Sequence, residues 1–299
     1  LNIGEGDEVI VPNMTFIASA NAVLMAGAIP VLCEVYENTF CINVEEAELL
    51  INKKTKAIMP VHLYGQSADM VKIENISKKY NLKIIEDAAQ GVGVKFTGKH
   101  VGTFGNVGIL SYYGNKTITT GEGGMVITDD KKIAEKCYRL KNHGRVNKGV
   151  FVHDEIGYNF SFTEMQAAVG IAQMKKLTKV ISRKKKIYDK YTSELSGLSG
   201  FLPVFIDPRT SPVFWFTSFL CENIEDFSKY LLKFKIQTRR FFYPLHLQPC
   251  YKKSTIKIRM NSKYPISEKI FNMGISLPSS YNLQSKQQSE IIRRIKSFF

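Results

Sequence analysis

What the sequence lacks narrows it before any motif is read. Five cysteines (Cys33, Cys41, Cys137, Cys221 and Cys250) lie scattered, odd in number and without a CxxC spacing. That speaks against a disulfide framework and against a cysteine zinc site, so no metal is expected. No run of eighteen apolar residues occurs, so no membrane-spanning helix is expected. The chain opens LNIGEGDEVIVP, without a methionine and without a charged-then-apolar leader, and a cytoplasmic location is the expectation. No internal repeat or low-complexity segment is visible.

Acidic residues are the scarce charge, 27 against 41 basic ones, for a formal net charge of +14. Such a balance invites a nucleic-acid reading. The basic residues are dispersed, however, in pairs such as Lys53-Lys54, Lys78-Lys79, Lys131-Lys132 and Lys175-Lys176. Most of these fall in segments that read as amphipathic helices, whose polar face is solvated. Only SRKKK, Ser182 to Lys186, forms a cluster, too small a footprint for a nucleic-acid module. Attraction for a phosphate-bearing small substrate fits the same charge.

Strands and helices alternate along the chain. DEVIVP (Asp7 to Pro12) is a strand, FIASANAVLMAG a helix with a terminal glycine, IPVLCEV a strand and NVEEAELLIN a helix. TKAIMPVHLYG is a strand, DMVKIENISKKYN a helix, and LKIIEDAAQG a strand whose last residues turn polar. This β-α-β order predicts a mostly parallel sheet with helices on both faces, and ligands gather at the carboxyl ends of such strands. GGMVITDD then reads as a strand, KKIAEKCYRLKNHG as a helix, and Thr163 to Leu195 as one long helical stretch. Residues 1–195 are expected to form a large α/β domain. Residues 196–299 mix short strands (FWFTSFLC) with helices (EDFSKYLLKF, SEIIRRIKSFF) and are expected to form a smaller α+β domain.

Lys116, in SYYGNKTITTGEGG, sits between aromatic residues and a glycine cluster. A deprotonated lysine is a strong nucleophile toward carbonyls, and burial lowers its pKa. Its natural partner is pyridoxal phosphate (PLP), held as a Schiff base and needing an acid at the pyridinium nitrogen. Asp87, at the end of an apolar strand, suits that acid; Ser111 could hold the phosphate and Phe16 could face the ring. Each residue also has an ordinary reading: a solvated loop lysine, a helix-capping aspartate, a core phenylalanine. The residues taken singly leave that choice open.

Together, GDEVIVPNMTFIASANAVLMAGAIPV, TKAIMPVHLYGQSADM, IIEDAAQGVG, VGTFGNVGILSYYGNKTITTGEGGMVITDD, LKNHG, IGYNFSFTEMQAAVGIAQ and FFYPLHLQPCY resemble the nucleotide-sugar aminotransferases of the DegT/DnrJ/StrS type. These are PLP enzymes of fold type I. GNKTITTGEGG and HDEIGYNFSFT look most like the perosamine synthases within them.

The resemblance implies that Lys116 forms the Schiff base and carries protons, that Asp87 pairs with the pyridine nitrogen, and that Gln90 lies close to the ring. It implies that Ser111 contacts the phosphate and that Phe16 stacks on the pyridine. Asn159 would reach the phosphate of a neighbouring subunit, making a homodimer with shared sites. His62, Arg239 and His246 would lie toward the sugar nucleotide, and L-glutamate would donate the amine.

The family carries a phosphate-cupping segment ahead of GDEVIVP, and a start at Leu1 without methionine is expected of a sequence beginning part-way into the protein. Ser161 stands where the family often has arginine. Lys116 is intact, whereas the related C3-dehydratases carry histidine there, so dehydration is not expected. The alternatives are a UDP- or dTDP-linked 4-keto-6-deoxyglucose as acceptor, a PLP-fold protein without turnover, and a basic nucleic-acid-binding module.

Overall fold

A computed structural model describes residues 1–146, 149–253 and 255–299. The first half alternates as β1 (Glu8–Pro12), α1 (Ala18–Met25), β2 (Ile29–Cys33), α2 (Val44–Leu50), β3 (Thr55–Ile58), α3 (Met70–Tyr80) and β4 (Lys83–Asp87). Two short strands, β5 (Lys95–Phe96) and β6 (Lys99–His100), precede β7 (Val107–Ser111) and β8 (Gly124–Ile127). Helices α4 (Lys131–Leu140), α5 (Glu164–Met174) and α6 (Leu177–Glu194) follow. The last third holds β9 (Phe201–Pro203), β10 (Thr210–Ser211), β11 (Thr217–Cys221), α7 (Ile224–Lys233), β12 (Arg239–Arg240), α8 (Pro265–Met273), β13 (Gly274–Leu277) and α9 (Ser285–Lys296).

The main sheet has six strands in the order β2-β1-β3-β4-β7-β8. The pairs from β2 through β7 are parallel, and β8 runs antiparallel on β7. Apolar strands covered on both faces read as continuous hydrophobic runs, and β1 is buried at all five positions. The chain steps one way from β1 to β2 and the other way from β1 to β3, the switch point at which open α/β sheets leave a crevice. Local signals start the helices: Asn43, Asp69 and Asp130 each cap a helix by accepting a backbone N–H. The expected single helix over Thr163 to Leu195 is instead two, because the Lys176 amide turns back to the Gln173 carbonyl at 3.0 Å and tightens the chain there.

Alternation along β4 sends Glu86 and Asp87 to opposite faces. Glu86 is fully buried. Its carboxylate accepts the amides of Gly102, Phe104 and Gly105 at 2.6, 2.6 and 2.7 Å, and meets His62 Nε2 at 3.0 Å. Burial alone would raise its pKa, but the His62 hydrogen bond and charge and the Gly105 and Gly102 amides hold it below the usual glutamate range. The bend they pin passes so close to β7 that a Cβ on Gly108 would lie 2.0 Å from the Gly102 carbonyl oxygen.

The packing does not follow a linear boundary at residue 195. The cluster around the main sheet recruits Val204, Val213, Phe241 and Ile270, and a second layer beneath β1 recruits Leu245, Tyr251 and Tyr264. A separate core joins β9, β11, β13, α7 and α9, including Phe201, Phe219, Phe227, Ile275 and Ile295. Helix α6 spans both: Leu177 and Ile181 pack on the first cluster, and Ile187 and Tyr191 belong to the separate core. These residues from beyond position 195 thus cover apolar surface of the large sheet, while β12, β13, β11 and β9 form a four-stranded sheet of their own.

Replacing Glu86 by alanine leaves three amides and a histidine unpaired in the interior, and is expected to destabilise by about 3–5 kcal/mol. Because the folded-state pKa of Glu86 is depressed, its contribution is fully present above the unfolded glutamate value of about 4.3 and disappears as the pH falls through the folded value. The difference in urea midpoint between wild type and Glu86→Gln should therefore shrink steadily below that pH.

Candidate active site

The carboxyl ends of β1, β4 and β7 carry the polar residues, as the sheet topology requires. Asp87 closes β4 and is held at both oxygens. Oδ2 accepts the Ser19 hydroxyl at 2.7 Å, and Oδ1 accepts the Ala89 amide at 3.1 Å. Ser19 itself lies 3.1 Å from the Thr15 hydroxyl. A short α1 turn thus fixes the carboxylate in one orientation, while its backbone bonds to Pro60 and His62 on the β3 side.

Lys116 follows β7 in a tight turn, its amide bonded to the Tyr113 carbonyl at 2.9 Å. Gly123, at φ +142°, lets the returning strand pass Phe162, where a Cβ would stand 2.3 Å from the ring. The Lys116 amine lies 4.3 Å from the centroid of Trp215, whose indole N–H donates to the Asn115 carbonyl at 2.7 Å. Burial against this ring brings the Lys116 pKa down to about 8, and the nearby Asp87 carboxylate opposes the fall. Trp215 stacks on Phe216 with centroids 3.9 Å apart, and the Arg239 guanidinium lies 5.1 Å from the Phe216 ring. A cation, two rings and a second cation form one continuous line.

The remaining candidates divide. Gln90 is buried and accepts the Tyr64 amide at 2.8 Å. Tyr64 stacks on Phe242, and Phe242 in turn lies 5.8 Å from the exposed ring of Phe16. Ser111 ends β7 and accepts the Tyr113 amide at 3.3 Å. Asn159 stands apart on the surface, paired through its backbone with Asn142. Ser161 donates to the Lys141 carbonyl at 3.3 Å. His62 has no exposed surface to offer a substrate: it is fully buried, and its ring nitrogens meet Glu86 and the Ser67–Ala68 turn. His246 is also interior, with Nδ1 at 2.9 Å from Asn13 and Nε2 at 3.2 Å from Glu268. Both histidines brace the scaffold from the interior.

A cavity of about 830 Å³ opens between the main sheet and the C-terminal sheet. Its lining includes Lys116, Lys176, Lys184 and Arg239, and among the described residues no carboxylate. Phe16, Asp87, Gln90 and Ser111 lie outside that lining, so Lys116 is the group common to the cavity and to the Asp87 side. Trp215 and Lys184 join this lining without belonging to the motifs that single out the other site residues. The signal for Trp215 is its position in VFWF just ahead of β11; Lys184 lies inside SRKKK, a pattern that reads as solvated charge.

Residues 1–296 match the DegT/DnrJ/EryC1/StrS aminotransferase family. Among curated relatives, GDP-perosamine synthase of Vibrio cholerae is 39% identical over 307 residues, covering 100% of this chain and 82% of the relative. GDP-perosamine synthase of Escherichia coli O157:H7 is 41% identical over 305 residues, covering 100% and 81%. Among solved structures, DesV of S. venezuelae superposes with a TM-score of 0.93 at 33% identity, covering 99% of this chain and 79% of that one.

A lysine whose folded-state pKa is lowered to about 8 binds fewer protons folded than unfolded between that value and about 10.4. Wild type is therefore expected to gain stability relative to Lys116→Met as the pH rises through that window, by an amount on the order of 1 kcal/mol. Thermal unfolding of both cofactor-free proteins at pH 7 and pH 10 measures it; a pH-independent difference would contradict a desolvated amine.

Proposed function

Because the chain belongs to the DegT/DnrJ/EryC1/StrS aminotransferase family, we propose that it transfers the amino group of L-glutamate to C4 of a nucleotide-linked 4-keto-6-deoxy sugar, GDP-4-keto-6-deoxymannose, giving GDP-perosamine. It is a PLP-dependent aminotransferase. The acceptor rests on the similarity, over the whole of this chain, to two GDP-perosamine synthases. The cavity supports it through its charge: Lys176 and Arg239, in a lining that holds no carboxylate among the described residues, suit the two phosphates of a sugar nucleotide and the carboxylates of glutamate.

The donor set beside Lys116 fits PLP. Asp87 presents a carboxylate with both oxygens already oriented, Lys116 a desolvated amine, Ser111 a hydroxyl at a strand end and Phe16 a ring with an open face. Bound PLP supplies an electron sink for the carbon that bears the transferred amine. Asp87 would keep the pyridine nitrogen protonated, and Ser19 keeps Asp87 from turning away. Lys116 would hold the cofactor covalently at Nζ and, once released, move protons as base and acid. A pKa of about 8 gives this amine a usable neutral fraction near neutral pH. Arg239, extended over Phe216, would receive substrate phosphate.

The reading includes a cytoplasmic homodimer in which Asn159 serves the partner's phosphate site. Exposed Phe151, Ile156, Phe160 and Met165 support it; these large apolar side chains lie within eight positions of Asn159 in the sequence, and a lone subunit would leave them in water.

Lys116→Ala should lose turnover entirely while keeping its fold, and Asp87→Asn should be severely impaired. Mass spectrometry of the sugar product after incubation with nitrogen-labelled glutamate reads both, and label at C3 or on no keto-sugar nucleotide would overturn the assignment. Mixing inactive Lys116→Ala with inactive Asn159→Ala should restore part of the activity, since hybrid dimers hold one site free of both changes. No recovery after demonstrated subunit exchange would count against a shared site.

A further inference from the structure

Lys184 is a buried cation that the proposed chemistry does not use. It lies on α6 between Ile181, packed on the main-sheet core, and Ile187, in the C-terminal core. Its side chain is only 8% exposed, and burial lowers its pKa to about 8. A lysine is kept in such a place at a desolvation cost, so its hydrogen bonds indicate what holds it there. Nζ donates to the Trp215 carbonyl at 2.9 Å and to the Ser279 carbonyl at 3.1 Å. The first acceptor belongs to the residue whose ring underlies Lys116; the second lies just past β13, at the mouth of the same cavity. No carboxylate shares these bonds, so the amine acts here as a geometric clamp on two backbone carbonyls rather than as half of an ion pair.

We infer that Lys184 is a positioning residue for Lys116, acting through Trp215. The clamp fixes the backbone of Trp215, the indole N–H fixes Asn115 next to Lys116, and the indole face receives the Lys116 amine. Because the same ammonium also grips Ser279, the floor under Lys116 is tied to the C-terminal sheet, and Phe216 carries that tie onward to Arg239. The inference rests on Lys116 being the reacting amine. Its consequence is that the lysine and the arginine at the two ends of the line are held at one separation, with α6 as the rigid strut.

Trp215 is the only tryptophan in the chain, so its fluorescence reports the clamp directly. In cofactor-free Lys184→Met, acrylamide quenching of tryptophan emission should rise roughly twofold as the loop beneath Lys116 loosens. In the PLP-loaded variant kcat should fall about tenfold to a hundredfold, with KM for glutamate little changed. Lys184→Arg, which keeps donors for both carbonyls, should return both readouts toward wild type. A folded Lys184→Met with wild-type quenching, or with wild-type kcat, overturns the inference, as does a lowered melting temperature with neither readout moved. Should Lys184→Met fail to fold, Lys184→Gln, which retains an N–H donor, is judged by the same readouts. Turnover retained by Lys116→Ala would instead overturn the role of Lys116, and the quenching experiment keeps the two failures apart.

Discussion

The buried carboxylate of Glu86 is the constraint on which the active-site end of the sheet depends. It gathers three amides from one bend and a histidine from the segment that follows β3, all within hydrogen-bonding distance. Taking a charge into the interior is tolerable only when every lone pair finds a donor, and here the donors are parts of the chain that must be brought together anyway. The bend at residues 102–105 fixes where β7 begins, and β7 delivers Ser111 and then Lys116. One residue further along β4, the opposite face of the pleat presents Asp87. A single strand end therefore sets both the scaffold and the acid of the site.

The site has a second axis, which begins at Lys116. Lys116, Trp215, Phe216 and Arg239 follow one another as cation, ring, ring and cation, so the Lys116 amine rests on a polarisable face while the exposed Arg239 lies over Phe216. This arrangement explains how a lysine can sit desolvated in a cavity that also holds Lys176, Lys184 and Arg239. The rings supply attraction that carboxylates would otherwise give, and the absence of carboxylates from the described lining leaves the positive potential available to an anionic substrate.

The strong positive balance of the chain thereby acquires a location. Of the cluster Ser182 to Lys186, Arg183 bonds the Leu283 carbonyl, Lys184 is interior and Lys185 pairs with Asp189 at 2.6 Å. What reads in one dimension as a basic patch becomes, once wound into α6, three side chains with three separate tasks. A helix turns about 100° per residue, so adjacent lysines cannot share a face.

Much was legible in the sequence because it is encoded locally. Apolar runs of strand length, helix caps such as Asn43 and Asp69, and polar residues following β1 and β4 depend on neighbours within a few positions. They fixed the alternation of elements, the largely parallel sheet and the candidacy of Lys116 and Asp87, and the resemblance carried by the motifs joined those residues to one chemistry. Gly108 interrupts the apolar run of β7 and weakens its signal, and no proline or glycine marks the break between α5 and α6. Tertiary structure alone decided the rest. The partners of His62 and His246, namely Glu86, Asn13 and Glu268, lie 22 to 233 positions away and hold both rings in the interior. The same holds for Trp215 beneath Lys116, 100 positions from its Asn115 acceptor, and for Lys184, 95 positions from Ser279. Burial and long-range hydrogen bonding depend on which distant segments the fold brings together, and no local pattern specifies that.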